Sequence, residues 1–303
     1  MRTLYLDIAG LNLKIALGGR FRRLPDNYTP FLTDVSDVND ILCEVAVATE
    51  SEPGDAAGDL VASFDDLGFL QEVYRLNTGE GYYFRIYDTD GLLAATMQSA
   101  PQFSRNAINV VASSEQSAVF GLNNMLMVAY AFSSAYKDTL MMHSSVVTKD
   151  GCGYLFLGKS GTGKSTHTSL WLRTIEGTSL LNDDNPVVRI VDKKAYVYGS
   201  PWSGKLPCYK NERAEAGAFV MLEQKPYNKI TRQNVVAAFS SLISSCSLMI
   251  WDKGSYDHQV ETMSALIASV PVYRLECLPD EAAAQLSHGT IARNQSSGCH
   301  ATD

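Results

Sequence analysis

Gly158-Lys159-Ser160-Gly161-Thr162-Gly163-Lys164-Ser165 decides how the rest of this chain is read, because it meets every fixed position of the pattern G-x-x-x-x-G-K-[ST]. The run before it, Gly153-Tyr154-Leu155-Phe156-Leu157, is apolar and partly aromatic and predicts a buried strand. The run after it, Thr166 to Arg173, reads as the start of a helix. In that strand–loop–helix setting the glycines let successive backbone N–H groups face a phosphate chain, and the helix N-terminus adds a positive partial charge. Lys164 is then expected at the β- and γ-phosphates and the Ser165 hydroxyl on Mg²⁺, with Gly158, Ser160, Gly161, Thr162, Gly163 and Thr166 completing the cradle. The bland alternative, a structural glycine turn, does not account for the flanks.

Nineteen positions after Lys164 comes Asp183-Asp184, closing the short run Ser179-Leu180-Leu181-Asn182. A short apolar run that ends in an acid places a carboxylate at the carboxyl edge of a sheet, facing such a loop. Mg²⁺ prefers carboxylate and phosphate oxygens, so one aspartate suits the metal. The other is free to accept a proton from an attacking hydroxyl. Asp-Asp-Asn-Pro is also a good turn sequence, and without the glycine loop a turn would be the better reading.

Outward from this centre the chain predicts an α/β (α+β) protein: a smaller β-rich domain over residues 1–115, a nucleotide-binding domain with a mixed sheet over 116–292, and a flexible tail over 293–303. Strand candidates in the first part are residues 5–9, 13–17, 43–47, 82–87 and 92–97, with Asp88-Thr89-Asp90-Gly91 as a hairpin connection. Residues 50–60 read as a mobile polar surface loop. A helix from about Gln116 to Tyr136 follows, then a strand candidate at 140–147 that carries His143, a turn at Asp150-Gly151, and the strand entering the glycine loop. Residues 187–191 and 195–198 form a second hairpin signature, 219–222 and 272–275 are further strands, and Val235 to Trp251 reads as an apolar helix. In Gly199-Ser200-Pro201-Trp202-Ser203-Gly204-Lys205, Trp202 and Lys205 are candidates for a substrate lid and a charge-neutralising cation; a plain loop with one buried Trp is the alternative.

Composition narrows the class. Across 303 residues, 46% are hydrophobic and 19% charged, ordinary for a globular protein, and the net charge is −8. Residues 1–125 hold 17 acids and 8 bases, whereas residues 126–303 hold 16 and 17. An acidic front half with no basic run able to track a phosphate backbone argues against a nucleic-acid partner. The first residues lack the apolar stretch of a signal peptide, and the apolar helix candidate Val119 to Tyr136, interrupted by Asn123 and Asn124, falls short of a membrane span. Six scattered cysteines without a C-x-x-C pair read as free thiols, and the expected location is cytoplasmic.

The pattern of His143, the loop Gly158–Ser165 with Thr166, and Asn182-Asp183-Asp184 resembles the HPr kinase/phosphorylase and phosphoenolpyruvate carboxykinase-like superfamily, over roughly residues 135–290. The resemblance implies ATP and Mg²⁺ as cofactors and places His143 near the transferred phosphate. It assigns Asp183 and Asp184 to Mg²⁺ coordination and the general base. The signature that HPr kinase/phosphorylases carry after the acidic pair, and their arginine-bearing phosphorolysis loop, are not found here. The stretch from Gly199 to Lys205 instead resembles divergent HPr-kinase-like proteins, some of which phosphorylate free serine or a serine in a peptide. The expected function is transfer of a γ-phosphoryl group to a serine hydroxyl of a protein, a peptide or free serine. In this reading Asp183 orients or deprotonates the hydroxyl, Asp184 and Ser165 hold Mg²⁺, and Lys164 stabilises charge. The rival is a catalytically silent nucleotide-binding regulator or peptide-recognition protein. A switch GTPase is disfavoured because Asn228-Lys229-Ile230-Thr231 lacks the aspartate of N-K-x-D. Neither reading requires a membrane, and both leave homo-oligomerisation open.

Overall fold

A computed structural model describes residues 2–35, 38, 40–49, 58–66, 69–204 and 206–292. Most of the polar loop expected at 50–60, the tail from 293 and Lys205 lie outside the described residues. The chain divides into two compact units, Met1–Tyr136 with Met249–Ser255, and Lys137–Leu248 with Tyr256–Asp303.

In the first unit, strands β1 (Arg2–Ile8), β2 (Leu11–Leu17), β3 (Leu32–Thr33), β4 (Ile41–Ala48), β5 (Gly58–Asp66), β6 (Phe69–Leu76), β7 (Tyr82–Tyr87), β8 (Leu93–Ser99) and β9 (Arg105–Val110) form one mixed sheet. Its order is β3-β1-β2-β4-β9-β8-β7-β6-β5. Alternation drives it: in β4 Cys43, Val45 and Val47 point inward while Glu44 and Ala46 point out. Strands β3, β5, β6 and β9 escape sequence reading: β3 is two residues long, and in the others polar and apolar residues do not alternate cleanly.

Helix α1 (Glu115–Ser133) is capped by Ser114, whose hydroxyl accepts from Ser117 N at 3.1 Å. It packs on β4, β7, β8 and β9, burying Leu122, Met125 and Leu126. The boundary expected at 115/116 is therefore corrected to follow Tyr136, since the helix buries its apolar face on the first sheet. The stretch Glu115–Lys137 is also long and apolar enough to cross a membrane by length and composition, which corrects the expectation that it falls short. Most of the stretch is buried inside protein, as in the core helix of a globular protein. Met249–Ser255 joins this unit through Trp251, which meets Phe132 edge-on at 5.7 Å, and through Asp252, which accepts from the Tyr82 hydroxyl at 2.8 Å.

The second unit holds another mixed sheet. Its strands are β10 (Thr139–Met141), β11 (Ser144–Lys149), β12 (Cys152–Leu157), β13 (Ser179–Asp184), β14 (Val187–Val191), β15 (Lys194–Tyr198), β16 (Arg213–Gln224), β17 (Lys229–Arg232) and β18 (Val272–Cys277). The order is β10-β14-β15-β16-β12-β11-β13, with β18 parallel to the second half of β16 and β17 paired to β18. Asp150 and Gly151, both at positive φ, make the tight β11–β12 hairpin. Helices α2 (Lys164–Thr174) and α5 (Glu281–Ile291) pack together, burying Trp171 against Tyr154 and Phe156. The remaining helices are α3 (Val235–Ile243) and α4 (Lys253–Ser269); the apolar helix expected from Val235 to Trp251 ends at Ile243, where Ser244 and Ser245 bond back to the Ser241 carbonyl. Cys43, Cys208, Cys246 and Cys277 are free, but Cys152 is disulfide-bonded. The reading of six free thiols is corrected at that residue, which no C-x-x-C spacing marks in the sequence.

Candidate active site

Strand direction alone brings three distant pieces of sequence to one edge. β11 runs antiparallel to both β12 and β13, so β12 and β13 run the same way and end on the same side. Ser144 faces Leu157 across one pairing and Asp184 across the other. His143, just before β11, the loop that leaves β12 after Leu157, and Asp183-Asp184 at the end of β13 therefore meet at the carboxyl edge.

The loop has the backbone its glycines predict. Gly158 sits at φ +146°, where a Cβ would lie 2.5 Å from the Thr162 hydroxyl oxygen. Gly163 caps α2 at φ +100° with no side-chain cap, so the first-turn N–H groups of the helix stay open to a ligand. A Cβ on Gly161 or Gly163 would meet nothing within 4 Å, leaving open space on that face of the loop. Thr162 closes the turn by donating from its hydroxyl to the Lys159 carbonyl at 2.8 Å, and Gln224 Nε2 donates to the Gly161 carbonyl at 3.2 Å. Lys159 and Ser160 form the exposed tip.

Lys164 is 9% exposed. Its Nζ donates to the Gly158 carbonyl at 2.8 Å and lies 2.9 Å from His143 Nε2. Burial pulls its pKa below the ordinary lysine value, while the Asp184 and Asp183 charges pull the other way. With Lys164 as an ammonium, His143 accepts at Nε2 and donates from Nδ1 to Asp184 Oδ1, 2.9 Å away. His143 and Asp184 are each about one-third exposed, so this end of the relay opens to solvent.

The two aspartates are not equivalent. Asp183 is 2% exposed and accepts from the Ser165 hydroxyl at 2.9 Å and from Leu206 N at 3.0 Å. Asp184 touches His143 and also accepts from Asn185 Nδ2 at 2.9 Å. Ser165 thus pairs with Asp183, opposite to the pairing expected from sequence. Asp184 adopts φ +135°, which a non-glycine residue rarely takes, and bridges to Ser203. Asn182, fully buried, holds this turn: its Oδ1 accepts from Asn185 N at 3.1 Å and its Nδ2 donates to Ser200 Oγ at 3.2 Å. Its signal in the sequence was a polar residue inside an apolar strand. Trp202 is 6% exposed, packed into the interior rather than offered as a lid.

On the other flank of the loop lies a cleft of ≈ 510 Å³ between Gly161, Thr166, Leu170, Leu222, Pro226 and Leu278. The carboxyl ends of β16 and β18 supply its far wall. Asn228 shapes that wall, accepting from Leu278 N at 2.8 Å while its Nδ2 donates to Asp280 Oδ1 at 2.9 Å. An apolar slot beside a phosphate cradle suits a nucleoside. Among the described residues no group of three or more His, Cys, Asp or Glu side chains could hold a metal ion. The donor set beside the loop, one hydroxyl and one carboxylate, instead fits Mg²⁺ completed by phosphate oxygens and water.

No family model matches the chain, and no curated protein matches it. Among solved structures it is similar to the Hpr(Ser) kinase/phosphatase from Coxiella burnetii, at 12% identity and a TM-score of 0.31, over 51% of this chain and 95% of that one.

Proposed function

We propose that the chain is a Mg²⁺-dependent phosphotransferase that moves the γ-phosphoryl group of a nucleoside triphosphate, by default ATP, to a serine hydroxyl of a protein, a peptide or free serine. The observation that carries the reading is the meeting of Lys164, His143, Asp184 and the Ser165–Asp183 pair at one sheet edge beside an open glycine loop. The loop amides and Lys164 would bind the phosphates, and the cleft at Leu170 and Leu222 would take the nucleoside. Ser165 and Asp183 would hold Mg²⁺, which when bound neutralises phosphate charge.

Asp184, oriented by His143, would accept the proton of the serine hydroxyl. The serine oxygen bonds to the γ-phosphorus, the bond to the bridging oxygen breaks, and the electron pair leaves with the nucleoside diphosphate. Lys164 exchanges its bonds to Gly158 and His143 for phosphate oxygens. Asp183 and Asp184 thus take each other's sequence-based roles, because the buried carboxylate is the one that touches Ser165.

Transfer from γ-labelled ATP with Mg²⁺ to free serine, a serine peptide and a serine-containing carrier protein tests the proposal, with Lys164→Ala as control. Label on one acceptor, absent in the variant, is the expected result. Nucleotide binding without label on any acceptor would favour the silent regulator.

A further inference from the structure

The first unit contains a cavity of ≈ 640 Å³, lined by residues 20–26 and by Ser113, Glu115, Ala118 and Val119 at the start of α1. Nothing above assigns it. Residues 1–125 are acidic, yet of their eight bases four gather here: Arg20, Arg22 and Arg23 in the lining, and Arg2, whose Nη1 donates to the Arg22 carbonyl at 3.3 Å. Asp26 and Glu115 in the same lining offset part of this charge and leave the cavity net positive.

The four arginines are not equally committed. Arg20 is spent on the frame, donating to the carbonyls of Ala112 and Ser113 just ahead of α1. Arg23 pairs with Asp26 at 2.9 Å, but both side chains are more than three-quarters exposed, so the pair is weak. The Arg22 guanidinium is exposed and makes no hydrogen bond or ion pair among the described residues. Two guanidinium groups therefore face a lining that also carries the apolar residues Phe21, Leu24, Pro25, Ala118 and Val119. The carboxylates of Asp26 and Glu115 share the same lining, which disfavours a compact dianion such as phosphate. Single negative charges spaced along a chain, with apolar residues between, match the alternation better.

We propose that this cavity binds an acidic peptide segment whose Asp or Glu side chains engage Arg22 and Arg23 while apolar neighbours cover Phe21 and Val119. The site does not depend on the phosphotransferase reading.

The test uses the full chain and fluorescence anisotropy against a set of labelled ten-residue peptides carrying two to four Asp or Glu among apolar residues, each with its Asn/Gln counterpart. Saturable binding of acidic members is expected, weakened on the order of tenfold by Arg22→Glu/Arg23→Glu and by added salt, and unchanged by Arg173→Glu. Both cavity positions are exposed, and thermal melting checks that the variant folds. Three outcomes overturn the proposal: no acidic peptide binds, Arg173→Glu weakens binding as much as the double variant, or millimolar inorganic phosphate displaces the peptide completely.

Discussion

The two units each carry a nine-stranded mixed sheet, yet they partner some of their polar side chains differently. In the first unit several of them bond to backbone. Ser99 Oγ donates to the Tyr82 carbonyl at 3.3 Å, Asn106 Nδ2 to the Phe103 carbonyl at 2.8 Å, and the Tyr130 hydroxyl to the Ile8 carbonyl at 3.1 Å. In the second sheet Lys164, His143, Asp184, Ser165 and Asp183 bond mainly to one another, at strand ends. Side chain–side chain bonds are a small minority in folded proteins, and a cluster of them at a carboxyl edge is costly to assemble for stability alone. Architecture therefore does not separate a working sheet from a scaffolding one; the partners chosen by its polar groups do.

The sharpest way to break this contrast is Lys164→Ala. If the second edge is catalytic, phosphoryl transfer should fall on the order of a thousandfold with the melting temperature little changed, read by label transfer and circular dichroism. Equal activity would reduce the cluster to scaffolding.

A second contrast is in acid. Burial holds the His167 pKa down to about 4, below its ordinary 6.5, so the native ring stays neutral. Between those values the unfolded chain binds a proton that the native state refuses. Stability should fall as pH drops from 6.5 toward 4, by up to about 3 kcal/mol. His167→Gln should flatten that slope in denaturant midpoints measured from pH 7 to 4. The first unit, which has no histidine, gives no such term.

The two aspartates sharpen the site itself. Asp183→Asn should raise the Mg²⁺ concentration needed for half-maximal activity by about tenfold or more. Asp184→Asn should lower kcat by about a hundredfold at unchanged Mg²⁺ demand. The reverse pattern would restore the roles expected from sequence. The smallest effect belongs to the scaffolding sheet: Tyr130→Phe should cost about 1 kcal/mol of stability in urea and leave transfer untouched.

Much of the second unit was legible beforehand because its signals are local. The glycine loop fixes backbone geometry, Asp150-Gly151 fixes a hairpin, and an acid pair closing a short strand fixes an edge. Which aspartate meets Ser165 was not legible, because it depends on the pleat of β13 and on the turn held by Asn182 and Ser200. The burial of Trp202 and the Asn228 staple depend likewise on chain far away in sequence. In the first unit, α1 is legible as a helix, but the sheet it packs on is not. Its apolar stripe states that it must pack, not on which sheet.

The backbone of Asp184 carries a consequence of its own. At φ +135° a side chain is tolerated only at a cost of about 1–3 kcal/mol, so glycine is the residue the fold would prefer there. Asp184→Gly should then melt higher than the parent protein while losing the carboxylate that faces His143. A library sorted for thermal survival and one sorted for turnover would draw opposite residues at this single position, and their disagreement would mark where this protein gives up robustness for chemistry.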